Sequence, residues 1–385
     1  MTHSTQYKPA TSETGDPFLL TPGPLTTSRS VKAAMLHDWG SRDANFIAIN
    51  KAVLTRLCEI AHGGDEYVTV PMQGSGTFAV EAMLTSFVPP TGKVLVLING
   101  AYGRRAKRIL DIAGRHTVVH ETDEDTPPDL NEVEAILKAT PSITHIFTIH
   151  CETTSGILNP IEKIGVLAVK YQKGYLIDSM SAFGALPLDA RALHVDAVAA
   201  SSNKCIEGVP GLGFVICRRD ALVRAKGNAT TLVLDLHDQW ANFEKTGQYR
   251  FTPPIHVIVA FHQALEEFTA EGGVAGRGGR YQNNCRLLLE GMSALGFKPL
   301  LAAHLQAPII VTFHMLKHPR FVFQQFYDGL KDRGYIIYPG KLTVADSFRI
   351  GCIGRLGEKE MRGALAAVGE VLQELGVTDS VAKAA

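Results

Sequence analysis

The sequence lacks an excess charge of either sign, and it also lacks a long hydrophobic run. Lys and Arg together number 38, as do Asp and Glu, so the formal net charge is zero. Nucleic acids and anionic membrane surfaces attract basic proteins, and this chain has no basic excess to offer them. No apolar stretch approaches the roughly 18 residues of a membrane span, and no secretory signal is found. We therefore expect neither a nucleic-acid-binding protein nor a membrane protein.

The sequence also lacks paired cysteines. Its six cysteines stand at positions 58, 151, 205, 217, 285 and 352 without a C-x-x-C pair. Neither a disulfide framework nor a structural zinc site is expected from such scattered positions, and no metal site is predicted. A reducing compartment fits free thiols, so we expect a soluble, cytoplasmic protein. A local basic run at residues 104–108 has helical spacing and is interpreted as a solvated helix face.

What the sequence does contain is a repeated alternation of short apolar runs and helical stretches. Its 385 residues, 45% of them hydrophobic, suffice for about two domains with sizeable cores. The alternation predicts an α/β fold in which a large, mostly parallel sheet is covered by helices on both faces. We assign residues 1–16 to a mobile tail, 17–280 to a large domain and 281–385 to a smaller C-terminal α/β domain. Residues 230–254 are expected to be an irregular connection and residues 271–279 a glycine-rich break.

Five loops rich in glycine and hydroxyl residues follow the predicted strands. They are residues 73–77, 99–103, 150–156, 178–184 and 201–213. In parallel sheets the ligand binds beyond the carboxyl ends of the strands, so these loops predict one shared site. Near the N-terminus, Thr21-Pro-Gly-Pro24 predicts a rigid loop, either a domain-entry turn or a loop that closes over a ligand. The segment 17–30 is thus a candidate to pack at the site.

Four features of these loops suit a single ligand. Lys204 lies in a loop rich in Gly and Pro, and its amine can form a Schiff base with a carbonyl group. Residues 75–77 open a helix, where backbone N–H groups and the helix dipole bind anions. Asp178 ends a buried strand, and Tyr102 lies at the end of another. Pyridoxal 5′-phosphate, which has an aldehyde, a phosphate and a pyridine ring, would use all four features.

The same stretches resemble the class V aminotransferase group of the fold-type I pyridoxal-phosphate enzymes. The resemblance covers nearly the full chain apart from its tails, and the stretch around Lys204 is its most specific part. Within the group, the motifs are most similar to members that transfer the amino group of 2-aminoethylphosphonate to pyruvate. The matching motifs are Thr21-Pro-Gly-Pro24, Gly74-Ser-Gly-Thr77, Asn99-Gly-Ala-Tyr-Gly103, residues 150–156, residues 177–184, residues 201–211, Tyr249-Arg-Phe-Thr-Pro253 and Phe348-Arg-Ile-Gly351.

The resemblance implies a role for each site residue. Lys204 would carry the cofactor and move protons, Asp178 would pair with the pyridine nitrogen, and Arg349 would bind the acidic end of each substrate. Tyr102 would stack on the ring, and Thr153 would bind near its phenolic oxygen. The residues implied to hold other cofactor groups, chiefly the phosphate, are Ser75, Gly76, Thr77 and Asn203 and, from a neighbouring subunit, Tyr249 and Thr252.

The implied enzyme is therefore a homodimer with shared active sites. Its substrates would be 2-aminoethylphosphonate and pyruvate, and its products phosphonoacetaldehyde and L-alanine. Three alternatives stay open. The first is another class V aminotransferase, such as one that uses alanine or serine with glyoxylate. The second is a pyridoxal-phosphate lyase or a cysteine desulfurase, which would need a mobile-loop cysteine such as Cys352. The third is a cofactor-binding scaffold without turnover.

Overall fold

The structure, a computed structural model of the protein, describes residues 8–339 and 345–377; the first seven residues of the predicted tail lie outside them. The strands within the described residues are β1 (Phe18–Leu19), β2 (Tyr67–Gln73), β3 (Lys93–Ile98), β4 (His116–Glu121), β5 (His145–Ile149), β6 (Cys151–Glu152), β7 (Ile157–Leu158), β8 (Gly174–Asp178), β9 (Ala197–Ser201), β10 (Leu212–Arg218), β11 (Ile310–His314), β12 (Tyr335–Ile336), β13 (Tyr338–Pro339) and β14 (Ser347–Gly351).

Helices connect most of these strands. They are α1 (Arg29–Ala33), α2 (Ala44–Ile60), α3 (Gly76–Phe87), α4 (Ala101–Ile112), α5 (Leu130–Ala139), α6 (Ile161–Lys170), α7 (Arg219–Arg224), α8 (Leu236–Thr246), α9 (Ile255–Ala270), α10 (Gly273–Ala294), α11 (Phe323–Asp332) and α12 (Glu358–Glu374). In the described part of the chain, no helix is both long enough and apolar enough to cross a membrane.

A seven-stranded sheet forms the centre of the molecule, with strand order β2-β10-β9-β8-β5-β3-β4. The contacts from β9 to β4 are all parallel, and β10 alone runs antiparallel to its neighbours β9 and β2. β10 reverses because the short loop 202–211 joins it directly to β9, whereas a parallel strand would require a long crossover. The prediction of a mostly parallel sheet in an α/β fold is confirmed.

Both faces of this sheet are covered by helices. Successive side chains of a strand point to opposite faces, so neighbouring residues enter different cores. Leu95 and Ile146 belong to the core formed with α2, α5, α6 and α9. Val96 and Phe147, the next residues along the same strands, belong to the core formed with α3, α4, α7 and α8. Burial on both faces explains why these strands are continuous apolar runs rather than alternating ones.

A second, antiparallel sheet with strand order β11-β14-β13 lies in the C-terminal part of the chain. Its core is built with α10, α11 and α12 around the buried ring of Phe348. The N-terminal strand β1 pairs with β12, and the Ala10 N–H donates to the Arg333 carbonyl at 2.9 Å. The described part of the predicted tail thus contacts the C-terminal part. The predicted domain boundary at 280 falls inside α10, and the division into two domains stays a prediction.

The prediction of an irregular connection at residues 230–254 is wrong for its central part, where α8 forms. Asp235 caps this helix by accepting from the Asp238 N–H at 3.0 Å. Gly247 ends it in the left-handed conformation with φ +67°. Both are ordinary helix-boundary signals. Leu236, Trp240 and Phe243 do have helical spacing, but this short pattern among polar residues was not recognised as a helix.

The predicted break at residues 271–279 is also wrong beyond its first residues. Only Gly272 and Gly273 adopt a left-handed conformation, with φ +97° and +64°, and α10 then continues through the remaining glycines. Gly278 is required there for packing, because a Cβ atom would overlap the Ala185 carbonyl oxygen. Tertiary packing therefore outweighs the low helix propensity of glycine.

Candidate active site

The five loops predicted to share a site do meet at one edge of the central sheet. Parallel strands place their carboxyl ends on the same side, and the antiparallel β10 begins there. The strand ends that line this edge are Gln73 of β2, Ile98 of β3, Ile149 of β5, Asp178 of β8 and Ser201 of β9. The site described below is built from the residues that immediately follow these ends.

Lys204 lies in the loop between β9 and β10, beneath the N-terminal loop. Its Nζ donates to the Pro22 carbonyl at 2.5 Å, and a Cβ atom at Gly23 would stand only 2.6 Å from Nζ. The 21–24 loop therefore covers the lysine, which favours the loop-over-ligand interpretation. Burial lowers the pKa of Lys204 to about 8. At pH 7 an amine with this pKa is about one-tenth neutral, far more than an ordinary lysine, and the neutral form is the nucleophile.

The Lys204 loop is held by an ionic cluster, here called the bracing cluster, of Glu207, Glu271, Arg277, Arg280 and Tyr281. Glu271 and Arg280 are partly exposed, and the other three are buried. The Glu207 N–H donates to the Lys204 carbonyl at 2.8 Å. The Glu207 carboxylate accepts from the Tyr281 hydroxyl at 2.5 Å and from Arg280 Nη2 at 2.8 Å. Two arginines balance two glutamates, so the buried charges are paired.

Glu207 itself has a left-handed backbone, with φ +63°. Residues other than glycine rarely adopt this conformation, which costs about 1–3 kcal/mol where it is retained. The Arg277 Nη1 group donates to the Cys205 carbonyl at 2.5 Å, next to Lys204. The cluster therefore holds both the carbonyl of the lysine and that of its neighbour in a strained turn. Sequence reasoning missed this cluster.

Asp178, at the end of β8, is 6% exposed. Its Oδ1 accepts from the Met180 N–H at 2.9 Å, which is its only hydrogen bond through the side chain within the described residues. Burial raises the pKa of Asp178 to about 6. The adjacent strand ends are tied together, because the His150 N–H donates to the Asp178 carbonyl at 2.8 Å. The second carboxylate oxygen is thus available to a ligand with a proton to share.

The predicted anion cradle is the start of α3. Ser75 is its N-cap residue, yet the Ser75 hydroxyl makes no capping hydrogen bond. The hydroxyl and the first N–H groups of the helix are therefore available to an anion. Gly76 packs against Met180, since a Cβ atom at Gly76 would overlap the Met180 sulfur. The Thr77 hydroxyl accepts from Arg105 Nη1 at 3.3 Å.

Tyr102 is fixed by a buried glutamate at the start of α4. The N–H groups of Tyr102 and Gly103 donate to Glu152 Oε2 at 3.1 and 3.3 Å. Thr154 donates to the other oxygen through its hydroxyl, at 2.6 Å. Burial raises the pKa of Glu152, and these hydrogen bonds oppose the increase. Glu152 lies inside a motif that the resemblance singles out, but its role as a helix cap was not predicted.

Arg349 lies in the middle of β14 and is 1% exposed, so it is not a surface residue. Its Nη1 donates to the Thr153 carbonyl at 2.7 Å and its Nη2 to the Pro339 carbonyl at 3.2 Å. Its Nε is buried without a partner in the part of the chain that the structure describes. Tyr338 supports the guanidinium, with 4.8 Å between Cζ and the ring centroid. A buried cation with an unpaired N–H favours an anionic ligand.

The structure therefore brings Lys204, Asp178, Thr153, Arg349 and the 75–77 cradle to one place. Asn203, Tyr249 and Thr252 are not joined to the cradle by any hydrogen bond between described residues. Asn203 is half-buried beside Lys204. Tyr249 packs on Phe243, with 4.9 Å between the ring centroids. The Thr252 carbonyl accepts from Gln73 Nε2 at 2.6 Å.

Chemically, this arrangement presents a partly neutral amine, a carboxylate of raised pKa, an anion cradle and a buried guanidinium close together at one edge of the sheet. Such a set suits Schiff-base chemistry on a phosphorylated carbonyl compound. The same set also suits recognition of a second, anionic reactant.

Comparison with known proteins agrees with this kind of chemistry. The family model for aminotransferase class-V matches residues 30–329. The chain belongs to the class-V aminotransferase family.

The chain is also similar to individual curated proteins of this family. The chain is 51% identical over 364 residues to the 2-aminoethylphosphonate–pyruvate transaminase of Pseudomonas fluorescens, covering 94% of this chain and 99% of that protein. It is also 51% identical over 362 residues to the transaminase of the same name from Cupriavidus necator, covering 94% of this chain and 96% of that one. These matches extend over nearly the full length of both partners.

Solved structures share the fold at much lower identity. Pyridoxamine–pyruvate aminotransferase from Mesorhizobium loti superposes with a TM-score of 0.86 at 22% identity, covering 97% of each chain. Alanine–glyoxylate aminotransferase from Nostoc sp. gives a TM-score of 0.86 at 22% identity, covering 97% of this chain and 99% of that one. These neighbours establish the fold, and the predicted fold class is confirmed.

Proposed function

We propose that this chain is a pyridoxal-phosphate-dependent transaminase that moves the amino group of 2-aminoethylphosphonate to pyruvate. The products are phosphonoacetaldehyde and L-alanine. The observation that carries the proposal is the 51% identity over 94% of the chain to transaminases of that name. The site supports it, because it brings together the amine of Lys204 and the buried guanidinium of Arg349, which would bind an anion.

The residues at the sheet edge fit the cofactor. Lys204 would hold its aldehyde, Asp178 its pyridine nitrogen and residues 75–77 its phosphate. The uncommitted Ser75 hydroxyl and the second Asp178 oxygen are the groups that such a ligand would engage. Bound pyridoxal phosphate supplies an electron-withdrawing ring that makes the carbon next to the substrate nitrogen acidic.

Lys204 has the further task of moving a proton at that carbon. A buried amine with a pKa near 8 can both accept and return a proton near neutral pH. Asp178 can share a proton with the pyridine nitrogen because burial has raised the pKa of its carboxyl. Tyr102, fixed at its backbone by Glu152, would stack against the ring. Thr153 would bind the ring edge.

Arg349 would bind the anionic end of each reactant in turn. The phosphonate of 2-aminoethylphosphonate and the carboxylate of pyruvate both match a guanidinium fork. The Nε of Arg349, which has no partner among the described residues, is the donor that either anion would take. Tyr338, packed on the guanidinium, limits its motion and so keeps that donor in place.

A homodimer with shared active sites is part of the proposal. Tyr249 and Thr252 would reach the phosphate of the partner's cofactor, and Asn203 would assist it from within the chain. Thr252 is exposed, as a residue that serves a second subunit must be before assembly. A cytoplasmic location is proposed as well, in keeping with the free thiols.

The desulfurase alternative loses its main support. A sulfur-accepting cysteine has to reach the substrate, but Cys352 is 0% exposed, and its N–H donates to the Ile309 carbonyl at 2.9 Å. Transamination between alanine or serine and glyoxylate uses the same cofactor chemistry and is distinguished by substrate.

A spectrum of the purified holoenzyme, followed by titration with 2-aminoethylphosphonate, tests the proposal. We expect the amine to convert the cofactor to its amino form and pyruvate to restore it, with L-alanine and phosphonoacetaldehyde formed in equal amounts. Matched titrations with L-serine and glyoxylate provide the comparison. Conversion by serine and glyoxylate but not by 2-aminoethylphosphonate and pyruvate would overturn the substrate assignment. Binding without any conversion would indicate a scaffold.

A further inference from the structure

The proposed reaction leaves one sequence motif without a role, namely the basic run at residues 104–108 at the start of α4. The predicted solvated helix face describes two of its members well. Arg104 pairs with Glu121 at 2.8 Å, and Lys107 pairs with Asp111 at 2.7 Å. Arg105 differs from both, because no acidic side chain pairs with it within residues 8–339 and 345–377.

Arg105 instead contacts two residues of the site. Its Nη1 donates to the Thr77 hydroxyl at 3.3 Å, and its Cζ lies 4.8 Å from the centroid of the Tyr102 ring. A planar guanidinium stacked on an aromatic ring is restricted in its orientation. The stack therefore holds the positive charge of Arg105 at the first turn of α3, beside the predicted phosphate cradle.

A phosphate monoester needs more positive charge than the cradle supplies. It carries about −1.5 to −2 at pH 7. The end of a helix contributes roughly half a positive charge, and the hydroxyls of Ser75 and Thr77 contribute none. Arg349 instead donates to the Thr153 and Pro339 carbonyls and makes no hydrogen bond to residues 75–77 within the described residues. Arg105 is thus the cation that the structure places against the cradle itself.

The charge of Arg105 also acts on the carboxyl group of Asp178. It lowers the pKa of Asp178, in opposition to the larger effect of burial. Arg105 is exposed on α4, so its effect on the Asp178 carboxyl is smaller than those of burial and of the Met180 N–H. The geometry and the charge of Arg105 therefore point in the same direction.

We propose that Arg105 binds the phosphate of the cofactor together with the first turn of α3. The inference rests on the proposed function, because it takes pyridoxal phosphate as the ligand. It adds a cationic residue to the predicted set of Ser75, Gly76 and Thr77, and it makes Tyr102 the support for that cation as well as for the ring.

Cofactor affinity of the apo-protein tests the inference directly. Apo-protein is titrated with pyridoxal phosphate and, separately, with pyridoxal, which has the same ring and aldehyde but no phosphate. In Arg105→Met we expect the Kd for pyridoxal phosphate to rise roughly tenfold or more, since one charge-assisted hydrogen bond is lost. The Kd for pyridoxal should stay unchanged. Arg105→Lys should lie between wild type and Arg105→Met, and Arg104→Met should match wild type with both ligands.

Three results would overturn the assignment. An unchanged Kd for pyridoxal phosphate in Arg105→Met would refute the role of Arg105 in phosphate binding. An equal loss for pyridoxal would mean that Arg105 acts only through the Tyr102 stack. An unchanged cofactor Kd with a raised KM for 2-aminoethylphosphonate would assign Arg105 to the substrate phosphonate instead. Failure of the wild-type apo-protein to bind pyridoxal phosphate would contradict the proposed function itself, so the two failures are distinguishable. Unchanged pyridoxal binding also verifies that the variant is folded.

Discussion

Replacement of Arg349 tests the feature that gives the proposed site its substrate class. The guanidinium is 1% exposed and donates to the Thr153 and Pro339 carbonyls, and its Nε has no partner among the described residues. Both reactants of the proposed transamination are anionic at the end opposite the amine or carbonyl. If Arg349 binds that end, both half-reactions must weaken together when it is replaced.

The magnitude follows from the hydrogen bonds lost. In Arg349→Ala each anion loses a fork of charge-assisted hydrogen bonds, worth about 3 kcal/mol or more, so kcat/KM should fall roughly 150-fold or more. Arg349→Lys keeps the charge and loses the planar fork, so a loss of about 1.5 kcal/mol, or roughly tenfold, is expected. The alanine variant also leaves the buried Thr153 carbonyl without a donor, which costs about 1–3 kcal/mol of folding stability.

The assay is single-turnover conversion of the cofactor by 2-aminoethylphosphonate and, separately, by L-alanine. Arg362→Ala, an exposed arginine paired with Glu358 on α12, is the matched control and should behave as wild type. A melting curve and the Kd for pyridoxal phosphate show whether each variant is folded and loaded. Propylamine, which has no anionic end, should react equally slowly with wild type and Arg349→Ala. Normal conversion of both anionic amines by Arg349→Ala would refute the reasoning, and with it the main physical support for a phosphonate substrate.

Three further predictions concern the cofactor residues. Asp178→Asn should raise the activation barrier for kcat by about 3 kcal/mol or more, because an amide cannot stabilise a protonated pyridine as the buried carboxyl of raised pKa can. The melting temperature of the apo-protein should not fall, and a near-normal kcat would make Asp178 a turn residue only. Uptake of pyridoxal phosphate by the apo-protein should accelerate as pH rises through about 8, where the lowered pKa of Lys204 makes its amine neutral, and a rate that is flat from pH 7 to pH 9 would contradict this. Lys204→Ala mixed with Tyr249→Phe should regain activity that neither variant shows alone, because one site of a mixed dimer is intact; no recovery in verified mixed dimers would argue against shared sites.

The sequence was sufficient to predict which edge of the sheet carries the site, because the residue patterns that mark this edge are local. Glycine and hydroxyl residues after apolar strands mark the carboxyl ends, and parallel topology brings those ends together. Lys204 and Asp178 could therefore be paired although 26 positions separate them, and Arg349 could be added through the resemblance. Helix α8 was missed although Leu236, Trp240 and Phe243 have helical spacing, and the start of α10 was missed because glycine is abundant there.

The residues that support the site could not be predicted from the sequence. Glu152 lies in β6 and accepts from N–H groups at the start of α4, and Arg105 on α4 donates to the Thr77 hydroxyl on α3. In each case the decisive partner lies on another element, and no local pattern identifies it. The basic run at 104–108 is an example. Arg104 and Arg105 are adjacent on one helix, yet Arg104 pairs with Glu121 and Arg105 donates to Thr77.

The bracing cluster connects the loop that carries Lys204 with the residues that follow Arg349. Glu207 holds the Lys204 carbonyl, and its carboxylate binds Arg280 at 2.8 Å. Arg280 also donates to the carbonyls of Gly354 and Leu356, which follow the strand that carries Arg349. Because transamination requires the amine of the lysine and the anion-binding guanidinium at a set separation, a rigid connection between their loops serves the chemistry. The paired ionic cluster provides such a connection, since moving either loop would leave the buried Glu207 carboxylate without its arginine.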